Sequence, residues 1–129
     1  MKKVNVLLAG VLLVFSLGAS AVSDRCQDVI NQSAGAFAAV DAVKDGYDET
    51  ISENQMLWYF ERERPLMVQI YDKGREAYSL GASRDEALAF IKGSNEKASR
   101  GENTLAARLQ SEAATNAYMC GFDDAAQSL

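Results

Sequence analysis

Ile51-Ser52-Glu53-Asn54-Gln55-Met56-Leu57-Trp58-Tyr59-Phe60-Glu61-Arg62-Glu63-Arg64-Pro65-Leu66-Met67 is the stretch whose reading decides the fold. Ser52 followed three residues later by Gln55 has the form of a capping box, and Ile51 and Met56 stand where a hydrophobic staple closes across the cap. A helix is therefore expected over 53 to 64. Pro65 donates no backbone hydrogen bond and disfavours helical geometry at Arg64, so the chain should kink there or start a new helix. Beyond it, Leu66, Met67, Ile70, Gly74, Ala77 and Tyr78 share one stripe of a helical wheel, and Gly81 is a natural stop.

The flanking sequence carries the same period. Over 24 to 43 the apolar positions Cys26, Val29, Ile30, Phe37 and Val40 recur at three and four, Gly46 ends the run, and Ser33, Ala34 and Gly35 are small enough for another helix to approach closely. Ser83 and Glu86 form a second capping box, opening a short helix with Ala87, Leu88, Phe90 and Ile91 before Gly93. Residues 94 to 103 are polar, read as a loop or a frayed extension of the preceding helix, and are the best linker candidate. From Thr104 onward Leu105, Leu109, Ala113, Ala117 and Cys120 mark a last helix whose stripe is small in its second half. No segment alternates over β-branched residues. The expected fold is all-α, a small bundle of four to five helices forming a single domain over 22 to 129. Three short echoes, Lys44-Asp45-Gly46-Tyr47-Asp48, Tyr71-Asp72-Lys73-Gly74 and Tyr118-Met119-Cys120-Gly121-Phe122-Asp123, have no common period and read as coincidence.

The first 21 residues read as a cleaved signal peptide. Lys2 and Lys3 are followed by an apolar run over 4 to 17, then by Ala19, Ser20 and Ala21, a small-x-small pattern with cleavage expected after Ala21. The run is shorter than the ~20 apolar residues that span a bilayer, so a retained anchor is the weaker alternative. Polar Ser23, Asp24 and Arg25 before Cys26 argue against a lipid anchor. The mature chain should be periplasmic or secreted, without stable membrane insertion. In that oxidising space the two cysteines of the chain, Cys26 and Cys120, are expected to pair and to fasten the first helix to the last. Their spacing is not that of a Cys-x-x-Cys redox pair.

Loss of Lys2 and Lys3 with the signal leaves 11 basic against 18 acidic residues, a net charge of −7. Such a surface repels nucleic acid and favours a basic partner. Histidine is absent, which removes the commonest general base and the commonest metal ligand. The acids around Asp41 and Asp45 fail the calcium-loop rule, with Val43 at the third position and Ser52 at the twelfth. No carboxylate pair suits glycoside cleavage, because Glu61 and Glu63 point apart on a helix and no glutamate stands in an apolar run that would raise its pKa. No catalytic residue, metal or cofactor is assigned, and an enzyme is not expected.

Met56-Leu57-Trp58-Tyr59-Phe60 cannot all face one side of a helix. With Met56, Leu57 and Phe60 inward, Trp58 points outward with Arg62 beside it and Tyr59 nearby. One reading is a central helix covered on two sides; the other is a partner-binding patch of Trp58, Tyr59, Arg62 and Arg64, residue types that dominate binding hot spots. Glu61-Arg62-Glu63-Arg64 otherwise reads as a solvated, alternating-charge face. The layout resembles those of secretion-system immunity proteins, phage-encoded inhibitors of lysozyme-like enzymes and periplasmic acid-stress chaperones. Arg62-Glu63-Arg64-Pro65 with Met67 is similar to a segment of one phage lysozyme-inhibitor family, a likeness of five positions from which no site is carried over. The expected role is binding of a basic protein such as a cell-wall hydrolase or toxin, as an inhibitor or immunity protein. The alternatives are a stress chaperone or a self-associating structural protein, hence a possible homo-oligomer.

Overall fold

The computed structural model describes residues 22–47 and 50–128, so the expected signal peptide lies outside the described residues. They form four helices: α1 (Asp24–Lys44), α2 (Glu53–Ser79), α3 (Arg84–Ser99) and α4 (Leu105–Gln127). Each begins with a hydroxyl that accepts from the backbone N–H three residues on: Ser23 from Cys26, Ser52 from Gln55, Ser83 from Glu86 and Thr104 from Ala107. The full capping box occurs at Ser83 and Glu86. At Ser52 the reciprocal half is replaced, because the Gln55 amide turns to the Tyr47 hydroxyl.

Helices α1, α2 and α4 pack mutually, and α3 lies chiefly on α4. Cys26 and Cys120 form a disulfide with Cα atoms 5.8 Å apart, joining α1 to α4 as expected. It sits inside the main core with Ile30, Ala34, Met67 and Tyr71. A second cluster, Ala87, Ile91, Tyr118, Met119 and Phe122, seals α3 onto the bundle, and a third, Ala38, Ala42 and Tyr59, closes the far end of α1 against α2 with Ile51 and Met56.

Close approach of helices is the architectural theme. Ser33 Oγ donates 3.0 Å to the carbonyl of Ala113 on α4, inside the core. Where α2 crosses α4, a methyl group on Gly74 would stand 1.8 Å from the carbonyl oxygen of Tyr118, and one on Gly121 would stand 1.9 Å from that of Tyr71. Two of the three sequence echoes are thus the two sides of one contact. Each supplies a Tyr-x-x-Gly turn whose glycine receives the other turn's tyrosine carbonyl.

The structure departs from expectation at several positions. Pro65 does not end α2 or start a new helix; the helix runs through it. Pro65 and Glu61, whose carbonyl loses its partner, are both on the exposed side, while Glu63 and Met67 anchor the inner side. Of the two readings of 94 to 103 the helical extension holds as far as Ser99, where the Asn95 amide donates to Ser111 O at 3.0 Å and to Thr115 Oγ1 at 2.9 Å on α4. The turn follows at Arg100 and Gly101, both with positive φ. Leu105 and Leu109 are exposed rather than on the buried stripe, and Leu66 likewise. The buried face of α4 keeps the expected Ala113, Ala117 and Cys120 and adds Ala107, Ala114, Tyr118, Met119 and Phe122, the alanines suiting the short α1–α4 spacing.

Candidate functional site

The face of α2 that carries Trp58 is built on a buried tyrosine. Tyr59 is only 3 % exposed, and its hydroxyl donates 2.6 Å to Asp45 Oδ2 at the end of α1. This hydrogen bond, then burial, then the Asp45 charge push its pKa up to about 12. Trp58 packs edge-on against the Tyr59 ring, with centroids 5.0 Å apart, yet remains 57 % exposed. The Arg62 guanidinium, one turn on, lies 4.9 Å from the Trp58 ring centroid and 5.3 Å from that of Tyr59. A large aromatic ring is thereby held in one orientation at the surface.

Arg62 is itself held from α1, where Asp41 Oδ2 accepts from its Nη2 at 2.9 Å. The same nitrogen lies 3.8 Å from Glu63 Oε2. Glu63 is 7 % exposed, which corrects the expectation that the 61 to 64 run is solvated throughout and that no glutamate has a raised pKa. Burial, the hydrogen bond with the Asp41 carboxyl and the Asp41 charge push Glu63 up to about 7, against the opposing pull of Arg62.

The four expected patch residues therefore separate. Trp58 and Arg62 stand together at the surface. Tyr59 is interior and acts as their support. Arg64 leaves the group: it points to the other side of α2 and donates from Nε to Asn31 Oδ1 at 2.7 Å. Sequence reasoning missed Asp41 and Glu63. The signal available was spacing, because Tyr59, Glu63, Met67 and Tyr71 are successive i, i+4 positions, and phasing the helix on them puts Glu63 inside.

A second polar centre, also missed, gathers on Asp124 beside the disulfide. Its carboxylate accepts from Ser23 Oγ at 3.1 Å, from Arg25 Nη2 at 3.3 Å and from Tyr71 OH at 2.5 Å. Burial opposes ionisation of Asp124, yet the hydrogen bonds from Tyr71 and from the Ser23 side chain and backbone, with the Arg25 charge, hold it below the usual carboxylate range. Arg25 also reaches Cys120 Sγ at 3.4 Å, and Arg84 grips neighbouring Asp123 through two bonds of 3.0 and 3.1 Å. These bonds tie the start of α1 to α2 and to the end of α4, and the start of α3 to the same end of α4. Cys26 and Cys120 are buried within it, in a structural setting.

Among the described residues no helix is long and apolar enough to cross a membrane. No protein-family model, curated protein or solved structure matches the chain.

Proposed function

We propose that the chain is a small exported binding protein that docks on a basic protein partner, of the cell-wall hydrolase or toxin class, through the α2 face bearing Trp58 and Arg62. The single observation behind this reading is the sole tryptophan, more than half exposed and clamped between Arg62 and Tyr59. A lone tryptophan ordinarily contributes to its own core. One fixed at the surface has lost little further entropy to give up on binding, and tryptophan and arginine are the residue types that carry most interface energy. The acidic mature chain suits a partner of opposite charge, which would be steered in and slowed by salt. The disulfide and the signal-like residues 1 to 21 support an oxidising compartment outside the cytoplasm. A direct test is inhibition of a basic lysozyme by the oxidised mature protein, compared with its Trp58→Ala variant.

A second reading, an acid-stress chaperone, draws support from a different surface. Leu80 is 79 % exposed and Phe90 65 % exposed, beside a groove of about 690 Å³ between the α2–α3 corner and Tyr118. A chaperone would change oligomeric state and expose more apolar surface as its carboxylates are neutralised, so sizing at neutral and acid pH separates the two readings.

A further inference from the structure

We infer that the groove between the end of α2, the start of α3 and Tyr118 of α4 is a docking site for a basic amphipathic peptide segment. The segment's apolar side chains would fill the groove and its lysines or arginines would meet the glutamates on the rim. The hollow follows from the corner. Gly81, with a φ of 96°, turns the chain out of α2, and α3 leaves at Ser83, so the two helices diverge over a floor of Ala77, Ala82 and Ala87. The space is about 690 Å³, within the range of built ligand sites. Leu80 and Phe90 stand at its edges, 79 % and 65 % exposed. One exposed leucine is ordinary, but two large apolar side chains flanking one hollow make the kind of contiguous patch that marks a partner site. The groove is also preformed. Tyr118 and Ala87 belong to the cluster that seals α3 onto the bundle, and the Tyr118 ring backs Phe90 with centroids 6.0 Å apart, so little ordering remains to be done on binding.

Charge selects the occupant. The charged side chains lining the groove are Lys73, Glu76 and Glu86. Lys73 Nζ lies 3.6 Å from Glu76 Oε1, so the one cation is already matched by an acid. Glu86 is fixed on the rim, because its Oε1 accepts from the Ser83 N–H at 2.8 Å in the capping box. A fatty acid or other anionic amphiphile would bring its headgroup against these two glutamates. A second copy would bring one net acidic chain against another. A basic amphipathic helix satisfies both features of the groove, with apolar anchors at i, i+3 and i+4 in the hollow and cations toward the rim, and the net acidic chain steers it in. The site stands apart from the Trp58 face. Leu80 follows Trp58 by 22 positions on the same helix, about 33 Å at the helical rise, so the two surfaces can be tested separately. It also differs from an acid-stress chaperone surface, because it is open and charged for binding at neutral pH.

The probe is a short fluorescein-labelled amphipathic peptide of leucine and lysine, titrated with the oxidised protein at neutral pH and read by anisotropy. A leucine–glutamate peptide of the same pattern is its control. Saturable binding of the lysine peptide alone is expected, weakening as salt is added. In the unsubstituted protein the amide resonances of Leu80, Ala82, Ala87 and Phe90 should shift on binding, while those around Trp58 stay in place. Leu80→Ser with Phe90→Ser, both at exposed positions, should weaken binding by about tenfold or more. Glu76→Gln with Glu86→Gln should weaken it at low salt and flatten the salt dependence, since glutamine keeps the capping box while removing the charge. Trp58→Ala should bind the peptide as the parent does. Equal binding of both peptides, resonance shifts spread away from the groove, or unchanged affinity in Leu80→Ser with Phe90→Ser would each overturn the inference. So would self-association of the parent at neutral pH that the same two substitutions abolish, which would assign the groove to a second copy. The shifts are read without any substitution, so the test stands even if a variant fails to fold.

Discussion

Replacing Gly74 by alanine should destabilise the fold at the crossing of α2 and α4, against the ordinary helix preference for alanine. The added methyl would stand 1.8 Å from the Tyr118 carbonyl oxygen and 2.8 Å from its carbon, with the Phe122 nitrogen at 3.0 Å. Ordinary contact for such a carbon begins near 3.4 Å, so the two backbones must separate locally by about 1.6 Å. No rotamer change can relieve a clash with backbone, so the overpacking penalty falls at or above the upper end of the usual ~1–3 kcal/mol. Greater helix propensity returns about 1 kcal/mol. The expected net loss is about 2 kcal/mol or more, read from urea unfolding of the oxidised protein by far-ultraviolet circular dichroism. Gly121→Ala should behave alike, and the double variant should lose less than the sum, because helices already pushed apart accept the second methyl more easily. Gly35 and Gly93 are the controls: they lie within helices with nothing within 4 Å of an added methyl, so alanine there should stabilise by up to about 1 kcal/mol. Stability of Gly74→Ala equal to or above that of the parent would refute the close crossing.

Stability should also vary with pH in a direction set by Glu63. Its folded pKa, about 7, lies above the ordinary value of 4.5, so the native state binds the proton more tightly; the stabilisation is fully present below pH 4.5 and lost as pH rises through about 7. At about 1.4 kcal/mol per unit the loss is bounded at roughly 3 kcal/mol, and Glu63→Gln should flatten it in chemical denaturation at pH 5 and pH 8. Asp124 acts in the opposite sense: its lowered pKa gives stability present above its ordinary 3.8 and lost as pH falls through the folded value, so Asp124→Asn should reduce stability at neutral pH and weaken acid unfolding. Removing the disulfide by Cys26→Ala with Cys120→Ala frees a closure of 94 residues, for an expected loss of about 4 to 5 kcal/mol in denaturant titration; a loss below about 1 kcal/mol would deny it the stapling role.

What the chain discloses before folding depends on how local the cause is. The caps at Ser52 and Ser83 and the stop at Gly46 act over three or four residues and could be read directly. The Cys26–Cys120 bond could be read because each cysteine lies on the apolar stripe of its own helix and no third thiol competes. Where a partner helix decides, local reading failed. In the first half of α4, Leu105 and Leu109 turn outward while Ala107 and Ala113 face the core, where α1 stands near, as the Ser33–Ala113 bond shows. Asn95 extends α3 through bonds to α4 that no local rule contains. Within the candidate site, Trp58 and Arg62 were readable as outward neighbours at i, i+4. The inward companions of Trp58 were not, because five large apolar residues in a row hide the phase that Tyr59, Met67 and Tyr71 reveal.

The binding claim is tested most directly by the lytic activity of a basic lysozyme titrated with the oxidised protein and with Trp58→Ala, at low and at physiological salt. An anchor of this kind typically contributes about 2 kcal/mol or more, equivalent to roughly thirtyfold in affinity. The account predicts inhibition by the parent protein that weakens with salt, and at least tenfold weaker inhibition by a Trp58→Ala variant with the same far-ultraviolet spectrum. No inhibition by the parent protein, or equal inhibition by both, would contradict it.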